Sequence, residues 1–125
     1  MTVLAIVGSR SFDDERLARA LLDVLLRHFP IDLVVSGGAK GADQIGEAWA
    51  RSHGIPVRIY KPDWDRHGKA AGFLRNGEIA ADADVLMAFW DGASRGTADT
   101  IRKAEGKMRI VVQPCDGGAQ IEILR

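Results

Sequence analysis

Five short apolar runs rich in β-branched residues recur along the chain, at Val3 to Val7, Leu33 to Val35, Val57 to Tyr60, Val85 to Phe89 and Arg109 to Val112. Between them lie stretches of helical period. Leu17, Leu21, Val24, Leu25 and His28 form one set, Ala42, Ile45, Trp49 and Ser52 a second, and Thr97, Ile101 and Ala104 a third. Apolar residues three and four apart fall on one helix face, and brief apolar runs between turn signals read as buried strands. Strands that alternate with helices of this length pair in parallel through right-handed crossovers. The expected fold is therefore α/β, a Rossmann-like three-layer sandwich with a mostly parallel sheet of about five strands. The tail Ala119 to Leu124 alternates apolar and polar residues behind the turn Asp116-Gly117-Gly118, and is expected to add a C-terminal edge strand.

With 125 residues and no linker, repeat or low-complexity tract, residues 1–125 are expected to form one domain. Seventeen Lys and Arg balance seventeen Asp and Glu, so no global field draws the chain to nucleic acid or an anionic membrane. A basic site must therefore be local. The lone Cys115 excludes an intramolecular disulfide, and the scattered His28, His53 and His67 do not suggest a metal cluster. The N-terminal residues lack the basic flank of a signal peptide, and no apolar stretch is long enough to span a bilayer. A soluble cytoplasmic protein without metal, cofactor or membrane partner is expected.

In open α/β sheets, ligands bind beyond the carboxyl ends of the strands, which directs attention to the loops found there. After the first strand, Gly8 permits a tight exit, and Ser9 and Arg10 offer a hydroxyl and a guanidinium to an oxyanion. After the second, Gly37, Gly38 and Gly41 let backbone approach a ligand, Lys40 supplies charge, and a helix begins whose first N–H groups attract an anion. Asp43, in that helix's first turn, either accepts a sugar hydroxyl or stabilises the helix through its dipole. After the fourth strand, Ser94 is a natural N-cap, Gly96 admits a phosphate and Thr97 adds a hydroxyl, giving a second anion seat. The segment Pro62 to Asn76 reads as a loop leading into a helix. From it Lys69, Arg75 and Asn76 can overhang the crevice, with Trp64, Phe73 or Trp90 as stacking surfaces or core.

Several chemistries are missing their signatures. No G-x-x-x-x-G-K-[ST] run, no G-x-G-x-x-G after a strand and no G-x-S-x-G occurs, which argues against P-loop hydrolysis, the usual dinucleotide site and a nucleophile elbow.

Four segments together, Gly8 to Phe12, Val35 to Asp43, Gly68 to Asn76 and Ser94 to Thr97, resemble the SLOG superfamily, most closely its YspA/CpYpsA-like branch. The resemblance runs from Val3 to about Val112. It implies a Rossmann-like fold that binds nucleotides or nucleotide-derived ligands, in a superfamily that also holds the Lonely Guy phosphoribohydrolases and DprA. Such proteins often self-associate, which implies a homo-oligomer, with Trp49, Trp64 and Phe73 as interface or core candidates. Lonely Guy enzymes carry G-G-x-G-T-x-x-E, whose glutamate takes part in cleaving the N-glycosidic bond. This chain is similar at Gly96-Thr97, but has Ala93-Ser94 for the glycine pair and Thr100 for the glutamate. The phosphate seat survives and the carboxylate does not, so that mechanism is not inherited. Asp99 lies about 100° away around a helix, leaving Asp43 and Glu78 as candidates for a relocated catalytic carboxylate.

The leading expectation is a nucleotide-binding sensor or accessory module, with phosphate held at Gly37 to Gly41 and at Ser94 to Thr97. Arg10, Lys40 and Arg75 would neutralise charge, and Asp43 and Asn76 would orient sugar or base. The alternative is an N-glycosidase or phosphoribohydrolase acting on a nucleotide monophosphate. A third reading, DprA-like binding of single-stranded DNA, fits poorly with zero net charge, because many phosphate contacts are needed.

Overall fold

The computed structural model describes all residues, 1–125. Its central strand, β1 (Val3–Gly8), is apolar on both sides and has helices on both sides. The chain continues through α1 (Glu15–His28), β2 (Leu33–Ser36), α2 (Ala42–Ser52), β3 (Val57–Ile59), the short α3 (Trp64–His67), α4 (Ala71–Asp82), β4 (Val85–Phe89), α5 (Arg95–Lys103), β5 (Met108–Cys115) and β6 (Gly118–Leu124). The sheet order is β3-β2-β1-β4-β5-β6. Strands β1 to β5 are parallel, and β6 runs antiparallel along β5 with Val112 opposite Ile121. Sheet, topology and C-terminal edge strand agree with the expected α/β sandwich. β5 extends beyond the expected Val112 because its last residues pair with β6.

Side-chain alternation along β1 divides the core in two. Leu4 and Ile6 join Val34, Met87 and Phe89 beneath α1 and α2. Val3, Ala5 and Val7 join Val35, Leu86 and Ala88 beneath α4 and the end of α5. Fully burying each large aliphatic side chain contributes about 1.5–3 kcal/mol, so both layers matter to stability.

Helix α1 departs from the expected face. Ala18, Leu22 and Leu25 are buried, whereas Val24 is 44% exposed and His28 faces solvent. Leucines at 17, 21, 22, 25 and 26 span a wide arc, so spacing alone admits a face rotated by one residue. On α2, Ser52 is exposed and Trp49 is wholly buried, so Trp49 belongs to the core. Its indole N–H donates to Asp23 Oδ1 at 2.8 Å and ties α2 to α1. The segment expected as a loop before α4 is more regular, with α3 and a 3-10 turn at Gly68–Ala70. Asp63 organises it by accepting the Arg66 N–H.

Candidate functional site

Strand order reverses on either side of β1, whose neighbours β2 and β4 leave in opposite directions. The loops after β1 and β4 meet the start of α2 and one side of α4 there, around a cleft of about 440 Å³. Of the expected site residues, Gly8, Ser9, Arg10, Asp43, Arg75, Asn76, Ser94, Gly96 and Thr97 line it. Residues 9 and 91 join its two sides, since Ser9 Oγ accepts the Asp91 N–H at 3.0 Å.

An anion seat is expected at the start of α5, which has open space at Gly96. Ser94 caps the helix by accepting the Thr97 N–H at 3.4 Å, and its hydroxyl lies 3.1 Å from that of Thr97. A Cβ built on Gly96 would meet nothing within 4 Å, so the surface there is open. The first N–H groups of a helix have no intrahelical carbonyl to reach, so this opening gives access to backbone donors.

The seat expected at α2 is differently built. Gly41 adopts φ 85° and ψ −127°, and a Cβ there would sit 2.4 Å from the Ser9 carbonyl oxygen and 2.6 Å from that of Arg10. The Ala42 N–H points to the same Ser9 oxygen at 3.5 Å. Backbone carbonyls thus stand where the glycine pattern suggested a phosphate. The space beside Gly37 is similarly taken, by the Arg75 guanidinium, and that beside Gly38 by Ile59. Gly37, Gly38, Lys40 and Gly41 do not line the cleft, and Lys40 is exposed. These glycines let loops pack closely on one another.

Asp43 is only 4% exposed and does not cap its own helix. Its Oδ2 accepts the Gly37 N–H at 2.9 Å, fastening the end of β2 to α2. Burial pushes its carboxyl up to about 6, against the lowering effect of the Gly37 and Ala39 N–H groups and Arg75. Behind it Ser36 donates to the buried Glu47 carboxylate and accepts the Gly38 N–H at 3.3 Å. Sequence reasoning missed Ser36 and Glu47, because a carboxylate in mid-helix reads as solvated.

Arg75 extends from α4 and donates through Nη1 to the Gly37 carbonyl at 2.9 Å. Burial holds its guanidinium below the ordinary value, and Arg10 acts in the same direction. Its Nε donates to Asn76 Oδ1 at 3.1 Å, while Asn76 Nδ2 donates to Gly96 O and Asp99 Oδ2, each at 3.2 Å. Asn76 therefore joins Arg75 to the first turn of α5, with its amide engaged by protein. Burial raises the Asp99 carboxyl, but hydrogen bonds from Lys103, Asn76 and Arg102 outweigh it and leave the group below its usual value. Thr100 lines the cleft and donates to Gly96 O at 3.0 Å. Glu78, the other candidate carboxylate, is exposed and outside the cleft.

Ser11, Ala39, Ile79 and Asp91 complete much of the wall. Asp91 Oδ1 accepts the N–H groups of Ala93 and Ser94, both at 2.8 Å, which holds its carboxyl below the usual range. An Asp-Gly pair directly after a strand is the signal that would have marked this turn.

The sequence pattern of the YspA, cpYpsA-related SLOG family matches residues 2–67, which carry β1, β2, α2 and their loops. The chain belongs to this family. It is similar to the Gene 61 protein of Mycobacterium phage D29, 42% identical over 112 residues, covering 84% of this chain and 90% of that protein. DNA processing protein A (DprA) from Streptococcus pneumoniae shares the fold, with a TM-score of 0.71 and 20% identity across 91% of this chain. The chain spans half the length of that DprA chain. No helix is long and apolar enough to cross a membrane. SLOG membership and the cleft together fit a nucleotide-related module.

Proposed function

We propose that the protein binds a nucleotide or nucleotide-derived small molecule in the cleft beyond β1 and β4, as a sensor or accessory module. The observation that carries this reading is the open first turn of α5 at Gly96, facing a wall that holds Arg10 and Arg75. Helix N–H groups, two hydroxyls and two guanidinium groups suit a phosphate. The Asp91 and Asp43 carboxylates suit sugar hydroxyls.

Thermal unfolding of the full chain with AMP, ADP-ribose, NAD and cyclic nucleotides tests the proposal. A ligand at about a hundred times its dissociation constant adds roughly 2.7 kcal/mol to stability. An unchanged transition with every nucleotide would remove the reading.

Asp43 supports a second reading, an N-glycosidase or phosphoribohydrolase acting on a nucleotide monophosphate. Its carboxyl lines the cleft and changes protonation at about 6, where a general acid or base works efficiently. Release of free base from AMP, lost in Asp43→Asn, would establish it, and intact AMP at high protein concentration would exclude it. Binding of single-stranded DNA, suggested by the likeness to DprA, is less well supported by a chain with zero net charge.

A further inference from the structure

The sheet has two edges, and they are built differently. At one, β3 is three residues long, lies between Pro56 and Pro62 and carries the exposed Arg58. Shortness, proline and charge are means by which proteins keep an edge strand from pairing with another chain. At the other edge, β6 is seven residues long, contains no proline, lysine or arginine, and has a neighbouring strand on one side only.

The side chains of β6 point to the same contrast. Ile121 and Ile123 stand opposite Val112 and Ile110 of β5, so all four share one face of the sheet. Val112 and Ile110 are buried, whereas Ile121 is 51% and Ile123 63% exposed. The apolar face extends one strand past the buried core.

We propose that β6 pairs antiparallel with β6 of a second copy about a two-fold axis at Ile121, joining two six-stranded sheets into one. Ile121 is the midpoint of 118–124, so every residue of the strand gains a partner. On one face Ile121 meets its own symmetry mate, and Ile123 of each copy meets Ala119 of the other. On the opposite face Gln120 of each copy lies across from Glu122 of the other, which sets an amide donor against a carboxylate twice. Other registers lose this match. An axis at Glu122 opposes two carboxylates, which destabilises a strand pair. An axis at Gln120 leaves Ile123 and Leu124 beyond the paired stretch, and one at Ile123 puts Ile121 against Arg125.

Sedimentation velocity of the full chain over a range of concentrations tests this, and a reversible dimer is expected. Gln120→Glu opposes like charges at two places and should weaken the dimer about tenfold, while Gln120→Lys sets a cation against Glu122 and should hold or tighten it. Both changes fall on one exposed side chain that faces the neutral Gln113 within its own chain, so the fold is expected to tolerate them equally. Hydrogen exchange in the dimer should protect consecutive amides from Ala119 to Ile123, whereas a strand paired on one side protects every second one. A monomer at every concentration overturns the proposal. A dimer that responds alike to the two substitutions, or that leaves alternate β6 amides unprotected, also overturns it and moves the association to another surface, such as the exposed Trp64 and Phe73.

Discussion

The Gly37 N–H donates to the Asp43 carboxylate at 2.9 Å, closing the loop between β2 and α2 onto the helix that follows it. The same loop is held from above, where Arg75 donates to the Gly37 carbonyl. One residue is gripped through both of its flanking peptides by groups of opposite charge, and the cleft wall takes its shape from that grip.

The pH dependence of stability should carry the mark of Asp43. Its folded-state pKa of about 6 lies above the ordinary aspartate value of 3.8, so the folded protein holds this proton more tightly than the unfolded chain. Stability from this group is present at low pH and lost as pH rises from about 4 to about 6, by up to roughly 3 kcal/mol. Urea unfolding at several pH values should show Asp43→Asn with a smaller decline across that window than the parent. Parallel curves would remove the buried ionisation from the explanation.

Two glycines with similar φ should respond differently to alanine. Gly41→Ala combines φ 85° with a carbonyl 2.4 Å from the new Cβ, and is expected to cost at least about 2 kcal/mol. Gly54→Ala, at φ 70° with nothing within 4 Å, should cost about 1 kcal/mol. Equal losses in denaturant unfolding would show that backbone conformation alone matters at Gly41.

Gly96→Ala separates binding from stability. The added methyl meets no protein atom within 4 Å, and alanine favours a helix over glycine, so stability should rise by about 0.5–1 kcal/mol. The methyl would stand where a phosphate approaches the α5 N–H groups, and nucleotide affinity should fall about tenfold or more. Undiminished affinity in calorimetry would move the phosphate elsewhere.

Asn76→Ala should affect both properties. It leaves Asp99 without one buried donor and frees Arg75 Nε, at a cost of about 1–3 kcal/mol. Nucleotide binding should weaken as Arg75 loses its orientation. A variant with normal stability would indicate that Lys103 and Arg102 alone satisfy Asp99.

The order of strands and helices was legible because each apolar run is short and each helical stretch long enough to show its period. The capped start of α5 was legible for a local reason, since Ser94, Gly96 and Thr97 lie within one turn of chain. The loop after β2 was not. Whether Gly37 and Gly41 face a ligand or a neighbouring loop depends on Arg75 and Ser9, which are distant in sequence. Asn76 has the same lesson: a polar residue near a cleft reads as ligand-facing until its partners, Gly96 and Asp99, are placed around it. Asp43 was recognisable as a candidate by type, but its raised pKa comes from packing that no spacing pattern encodes.

The pairing of Leu4 with Val85 puts the chain's beginning beside a strand made much later, and the bond from Asp91 to Ser9 spans 82 residues. Such contacts form only after a large loop has closed. The cleft is therefore a product of completed folding: during synthesis it does not exist until β4 and the start of α5 have emerged and docked. A molecule held between Ser9 and Gly96 would act as a clasp across that long closure, slowing the separation of the two halves as well as shifting the equilibrium between folded and unfolded chains.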